Sequence, residues 1–230
     1  MRLFLDSYCI NCGAELEYRN INIGICSKCI SNISKINIQN ACRKCGLPDS
    51  RDNCYFCQNH KLIVKRNISL FTYEGIIRDL IYDIKFDNQK DKVRTLNAIT
   101  DDVMLDEIFE DEIDLVVPVP TSLKSLLKRG FDLVKLVFKP ITKSNRKPFL
   151  NLLGRKLLHK EQKKLSKEER EKLVREQFYI RKLTNLTHKN VLIVDDVFTT
   201  GSTINACANL IMSLKPKSLY SLTLVRVLES

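Results

Sequence analysis

From residue 68 onward, apolar positions alternate between short continuous runs and helical spacings. Ile68–Tyr73 reads as a strand. Gly75–Asp87 follows with Ile76, Ile77, Leu80, Ile81 and Ile84 at the intervals of one helical face. The pattern predicts a second helix over Asp91–Glu110, acidic towards its end, and a buried strand over Asp114–Val119 bounded by Pro118 and Pro120. A helix is expected over Phe131–Val137. Ser166 with Glu169 three positions on is a capping-box signature that opens another over Ser166–Arg175. Val191–Asp195 is a further buried strand, Ser202–Leu214 a helix and Leu219–Val227 a last strand. Strands alternating with helices predict an α/β fold, a mostly parallel sheet with helices on both faces. Ligands of such sheets sit beyond the carboxyl ends of the strands.

The first 60 residues lack this alternation and have too few large apolar residues for a core of their own. They hold four Cys-x-x-Cys pairs: Cys9/Cys12, Cys26/Cys29, Cys42/Cys45 and Cys54/Cys57. The two-residue gap lets both sulfurs of a pair face one metal ion, so eight thiolates make two structural zinc sites. Gly13 and Gly46 each follow a second thiolate, where the chain often needs a positive φ. Metal binding then provides much of the folding free energy of the segment. A sequential pairing (9, 12, 26, 29 and 42, 45, 54, 57) and an interleaved one joining first and third pairs are both open, the sequential closing shorter loops. His60 reads as a bystander, since eight cysteines fill two sites. Cys207 reads as a small buried thiol. Disulfides are disfavoured in a reducing cytosol. The 230 residues thus divide into a double zinc-ribbon module over 1–60 and an α/β domain over 61–230.

The longest apolar stretches, such as Leu115–Val119 and Val191–Val194, are strand-sized, far below the ~20 residues of a membrane span. Met1–Tyr8 carries no apolar region long enough for a secretory signal, and the expected location is the cytoplasm, with no membrane insertion. Net charge is +11 and uneven. Thr121–Pro148 holds eight Lys/Arg against Asp132, and Arg155–Lys189 twelve against five acids, +7 each. A basic surface of this kind suits a polyanion: a pyrophosphate group, nucleic acid or an acidic partner.

One segment concentrates the chemistry. Val191–Val194 buries a strand, Asp195 and Asp196 emerge at its end, and Thr199, Thr200, Gly201, Ser202 and Thr203 form a hydroxyl-rich turn into a helix. Backbone N–H groups at a helix start, surrounded by hydroxyls, cradle a phosphate. Gly201 lets the chain approach the anion closely. Two carboxylates beside an anion repel it unless they hold sugar hydroxyls or Mg²⁺. Together these residues describe a sugar-phosphate pocket.

The segment resembles the signature of type I phosphoribosyltransferases. That resemblance implies that Asp195 and Asp196 hold the ribose hydroxyls of phosphoribosyl pyrophosphate with Mg²⁺ nearby, and that Thr199–Thr203 hold its 5′-phosphate. Taken with the four Cys pairs, Tyr73-Glu74-Gly75 leading to Lys85-Phe86, Pro118-Val119-Pro120, Arg129-Gly130-Phe131 and Gln162-x-x-Leu165 with Arg170, the chain resembles the ComF family along essentially its whole length. That resemblance implies a protein of competence and DNA uptake. It would bind phosphoribosyl pyrophosphate or a related nucleotide, engage single-stranded DNA and work with a helicase-like ATPase. Arg129 lies in a matching motif and is expected to serve the pyrophosphate; Lys124 and Lys128 flank the position where the family often carries a basic residue. Several positions depart from the pattern, Ser125 between those two lysines among them. Asp132 and Leu133 replace the Asn-Gln that commonly follows Arg-Gly-Phe, and Leu173 stands where an Asn is expected. Thr199 stands where purine-salvage relatives often carry an Asp, and a hydroxyl without an activating partner is a poor base at neutral pH. This counts against classical base salvage and leaves ligand binding untouched. An active phosphoribosyltransferase and a phosphoribosyl-pyrophosphate-sensing regulator are the alternatives. With no Trp, seven Tyr and ten Phe, base-stacking platforms are sparse, so DNA binding would be electrostatic and sequence-tolerant.

Overall fold

The computed structural model describes residues 7–157, 174 and 176–228. The predicted helix over Ser166–Arg175 falls outside them except at Val174, as do Gln162, Leu165, Arg170 and Leu173.

A four-stranded parallel sheet organises the chain, in the order β1 (Arg66–Thr72), β6 (Ser218–Arg226), β5 (Asn190–Phe198), β2 (Leu115–Pro118). In β5, Leu192 and Val194 face one core while Val191 and Ile193 face the other. Burial on both faces is why the strand reads as an unbroken apolar run. The first core takes α3 (Gly75–Phe86), α4 (Val93–Ile99), α5 (Leu105–Phe109) and α7 (Leu133–Ser144). The second takes α8 (Ser202–Met212) and a small antiparallel hairpin, β3 (Leu153–Arg155) with β4 (Phe178–Ile180).

Three elements differ from expectation. The helix over Asp91–Glu110 is broken, with α4 ending at Ile99 and α5 starting at Leu105. Glu110 closes α5 in the left-handed region at φ 56°. The helix expected over Phe131–Val137 runs on to Ser144, capped by Asp132, whose carboxylate accepts from the Lys135 N–H at 3.2 Å. The stretch between β2 and Arg129 contains an unforeseen helix, α6 (Leu123–Arg129), capped by Ser122 and stopped by Gly130 at φ 73°.

The cysteine segment straddles the β1 edge of the sheet. Leu16, Ile25, Ile33 and the first Cys cluster pack into one core; Leu47, Phe56, Leu62 and the second cluster pack into the other. Backbone bonds tie it to β1: the Ile36 N–H donates to the Leu70 carbonyl (2.9 Å), and the Asn67 N–H to that of Lys44 (2.8 Å). An open edge strand is thereby covered. The short helices α1 (Ser27–Ser31) and α2 (Tyr55–Asn59) are wound around the second Cys pair of each cluster. Among the described residues, no helix is long and apolar enough to cross a membrane.

Candidate functional site

Strand β5 carries two adjacent carboxylates to its end. Asp195 is buried, and one of its oxygens accepts from the Asp196 N–H at 2.9 Å. Burial first, and the neighbouring Asp196 charge second, push the Asp195 carboxyl up to about 8 against the partial relief of that hydrogen bond. Asp196 Oδ2 stands 2.7 Å from Lys85 Nζ, on the last turn of α3. Gly201 then turns the chain into α8 at φ 76°, a conformation that favours glycine, and a Cβ there would meet Leu62 Cδ2 at 2.5 Å and displace that side chain. Thr200 and Ser202 hydroxyls bond each other at 2.9 Å.

A cavity of about 420 Å³ opens beside these groups. Of the residues singled out from sequence, Asp195, Asp196, Thr199, Thr203 and Arg129 line it; Thr200, Gly201 and Ser202 complete the turn without lining it. Arg129 ends α6 and is largely buried. Its Nε donates to the Ser125 carbonyl at 3.4 Å, and its guanidinium lies 5.9 Å from the Phe131 ring. Three further cations line the same space: Lys85, Lys128 and Arg155. Arg155 is held by two bonds to Gln177 Oε1 (3.1 and 2.7 Å) and by the Phe178 ring at 5.2 Å. Lys85 and Arg155 were not singled out as ligand-binding candidates from the sequence. Their only signals are the Lys-Phe motif closing α3 and the first position of a basic stretch. Two carboxylates, hydroxyls at a helix start and four cations around one cavity can hold a polyol and an anion together.

The eight cysteines form two clusters: Cys9, Cys12, Cys26 and Cys29, and Cys42, Cys45, Cys54 and Cys57, each with its sulfurs within 4.8 Å of one another. The pairing is sequential. Four sulfurs bound tetrahedrally at ~2.3 Å from one ion stand about 3.8 Å apart. The 3.7 Å between Cys12 and Cys26, 3.7 Å between Cys42 and Cys57 and 3.4 Å between Cys45 and Cys54 suit that geometry. Each cluster could hold a metal ion, as in a double zinc ribbon. Donors already face the sulfurs: the Cys26 N–H points at Cys9 Sγ (3.4 Å) and Asn11 Nδ2 at Cys29 Sγ (3.3 Å). At Cys9, burial raises the thiol, but the N–H groups of Cys26, Cys12 and Asn11 outweigh it and hold it at about 6. Gly13 and Gly46 both sit at φ 70°, as their place after a thiolate predicts. His60 stays out of the clusters, stacked on Phe56 with ring centroids 4.2 Å apart. Cys207 is buried in α8.

The family described as "Phosphoribosyl transferase domain" matches residues 156–230. Competence protein ComFC of Bacillus subtilis is 25% identical over 212 residues, 88% of this chain and 84% of that protein. Competence protein ComFC of Streptococcus pneumoniae is 25% identical over 95% of this chain and 99% of its own length. Competence protein F of Haemophilus influenzae is 26% identical over 93% and 94% respectively. Sheet, loop and matched domain define a phosphoribosyltransferase-type α/β protein preceded by a cysteine-rich module. Relatives along most of its length and two four-cysteine clusters fit the chain to the ComF family.

Proposed function

We propose that this chain is a competence-type protein that binds phosphoribosyl pyrophosphate, or a related nucleotide, with Mg²⁺ at the end of β5 and supports uptake of single-stranded DNA. The observation that carries the ligand assignment is the meeting of Asp195, Asp196, Thr199 and Thr203 with Lys85, Lys128, Arg129 and Arg155 around one cavity. In this reading the two carboxylates accept hydrogen bonds from the ribose hydroxyls. The amides and hydroxyls of Thr199, Thr200, Gly201, Ser202 and Thr203 take the 5′-phosphate, and Arg129 faces the pyrophosphate. Bound Mg²⁺ would offset the pyrophosphate charge. A zinc ion in each Cys₄ cluster completes the module of residues 1–60, beside a ligand-binding domain over 61–230.

The DNA half rests on relatives named as competence proteins and on charge. A second cavity, of about 600 Å³, shares Pro120, Thr121 and Arg155 with the first and adds Lys135, Lys156, Arg181 and the half-exposed Tyr179. That lining suits a phosphodiester backbone read without sequence preference. The family resemblance adds a helicase-like ATPase as partner and the cytoplasm as location. Single-stranded DNA binding by the purified protein should weaken linearly on a log–log plot against salt. Salt-insensitive or absent binding, with no ATPase captured, would refute the uptake role.

Active transfer is the second reading, favoured by cations placed to stabilise a leaving pyrophosphate. Thr199 supplies no ready base. Assay of pyrophosphate release with a panel of bases separates the readings: release supports transfer, and its absence alongside tight binding supports a binding or sensing module.

A further inference from the structure

Arg226, the last residue of β6, is 1% exposed, the largest fully buried side chain among the described residues. Its Nη1 donates to the Cys45 carbonyl at 2.7 Å. Its guanidinium carbon lies 4.5 Å from the Phe56 ring centroid and 4.7 Å from that of Phe198, so the cation is held between two aromatic rings. Its Nε has no hydrogen-bond partner among the described residues. No carboxylate of the described residues forms an ion pair with it. Burial opposes its charge, and the ionisable groups near enough to favour it are led by Cys45 and Cys54, with Cys42 also within reach. A guanidinium stays protonated in a protein, and burying one without a counter-charge is strongly unfavourable.

The compensating charge lies in the second cysteine cluster. Four thiolates around a divalent ion carry a net double negative charge, and this cluster is deeply placed, with Cys45 fully buried and Cys42 nearly so. The first cluster exposes Cys12 to water, which can screen it.

The same guanidinium reaches the phosphate turn. Phe198 is the residue before Thr199. It pairs in register with Arg226, and its carbonyl accepts from the Val227 N–H at 2.9 Å. Its ring lies beneath Gly201, 3.0 Å from where a Cβ would stand. From the cluster side, Phe56 sits between ligands Cys54 and Cys57 and packs on Phe198 at 5.9 Å. Asn205 in α8 is bound to the stretch that follows them: its Oδ1 accepts from the Ile63 N–H (2.9 Å) and its Nδ2 donates to the Lys61 carbonyl (2.7 Å).

We infer that Arg226 is the buried counter-charge of the Cys42/Cys45/Cys54/Cys57 metal cluster, and that through its stack on Phe198 an ion in that cluster holds the phosphate turn in place. Arg226 is therefore a positioning residue. The inference rests on the metal-binding reading above but not on the identity of the pocket's ligand.

The test uses full-length protein as purified, with Arg226→Met and Arg226→Lys. Metal content is measured, then release to a chromophoric chelator is followed together with hydrogen exchange of residues 197–203. Wild type should hold two ions. Arg226→Met should release one of them about tenfold faster, the scale seen when outer partners of a metal ligand are lost, and leave the other unchanged. Exchange at 197–203 should rise in Arg226→Met, and in wild type once the second cluster is emptied. Arg226→Lys, which keeps the charge but not the planar stack, should fall between. Unchanged release, equal acceleration of both ions, or a turn whose exchange ignores metal loss would overturn the inference. Two ions in wild type with any of those results would leave the metal reading standing, whereas a metal-free wild type would overturn both. Should Arg226→Met not fold, Arg226→Lys decides alone: wild-type release of both ions would refute the assignment.

Discussion

Lys85 Nζ lies 2.7 Å from Asp196 Oδ2, with the two side chains 20% and 18% exposed, so an ion pair ties the end of α3 to the end of β5. Its effect exceeds one contact. Asp195 is buried while its neighbour Asp196 lines the cavity, and the Lys85 ammonium also favours the ionised form of Asp195. Lys85 thereby lowers the cost of setting two acidic side chains next to each other. Lys85→Met should lower unfolding free energy by about 1–3 kcal/mol, between the values for exposed and buried pairs. Urea denaturation at neutral pH measures it, and a loss below ~0.5 kcal/mol would mean the pair is merely a surface contact.

Asp195 predicts an unusual pH dependence. Its carboxyl is raised from the ordinary aspartate value of 3.8 to about 8 in the folded chain. The folded state therefore holds a proton that the unfolded state has released between those values, and this group's contribution to stability falls as pH rises through that window. Asp195→Asn keeps an oxygen for the Asp196 N–H and removes the titration. The melting temperature of Asp195→Asn relative to wild type, both without ligand, should climb from pH 5 to pH 8. A constant difference would show that the carboxyl is not raised.

The ends of the sheet strands and the turn after β5 were legible because their signals are local. Val191–Val194 is an apolar run, and Asp195, Asp196 and Gly201 are chemically distinctive at that spacing. In α3 the predicted face is the observed one, with Ile77, Leu80, Ile81 and Ile84 buried. Other features depend on partners far away in sequence. The three-residue strands β3 and β4 are too short for a periodic signal and exist through their antiparallel pairing, with the Tyr179 ring lying against Gly154. Lys85 and Arg155 reach the cavity from separate elements, and no spacing relates either to Asp195. Helix α6 spans only seven residues, so the helical spacing of Leu123, Leu126 and Leu127 lasts barely one turn, too short a run to mark an element. Nor does local sequence reveal that the cysteine segment straddles β1, since that follows from an edge strand needing cover.

Because each Cys cluster packs into a different face of the sheet, metal removal should be felt throughout the chain. Chelation under reducing conditions should lower the melting temperature of the sheet by at least ~10 °C, the shift expected when a structural site providing several kcal/mol is lost from a chain of this size. Circular dichroism of the helices in the α/β part reports this directly. An unchanged transition there, with loss of structure confined to residues 7–60, would show that the module is energetically separate.

On the proposed reading, Asp195, Asp196 and the turn that follows hold phosphoribosyl pyrophosphate. Calorimetric titration with phosphoribosyl pyrophosphate and Mg²⁺, on wild type and on Asp196→Ala, tests it most directly. Wild type should show measurable Mg²⁺-dependent binding and the variant at least a tenfold loss, the ~1.4 kcal/mol or more expected of a charged hydrogen-bond partner. Equal affinity for the two proteins, or no binding to either, would contradict it.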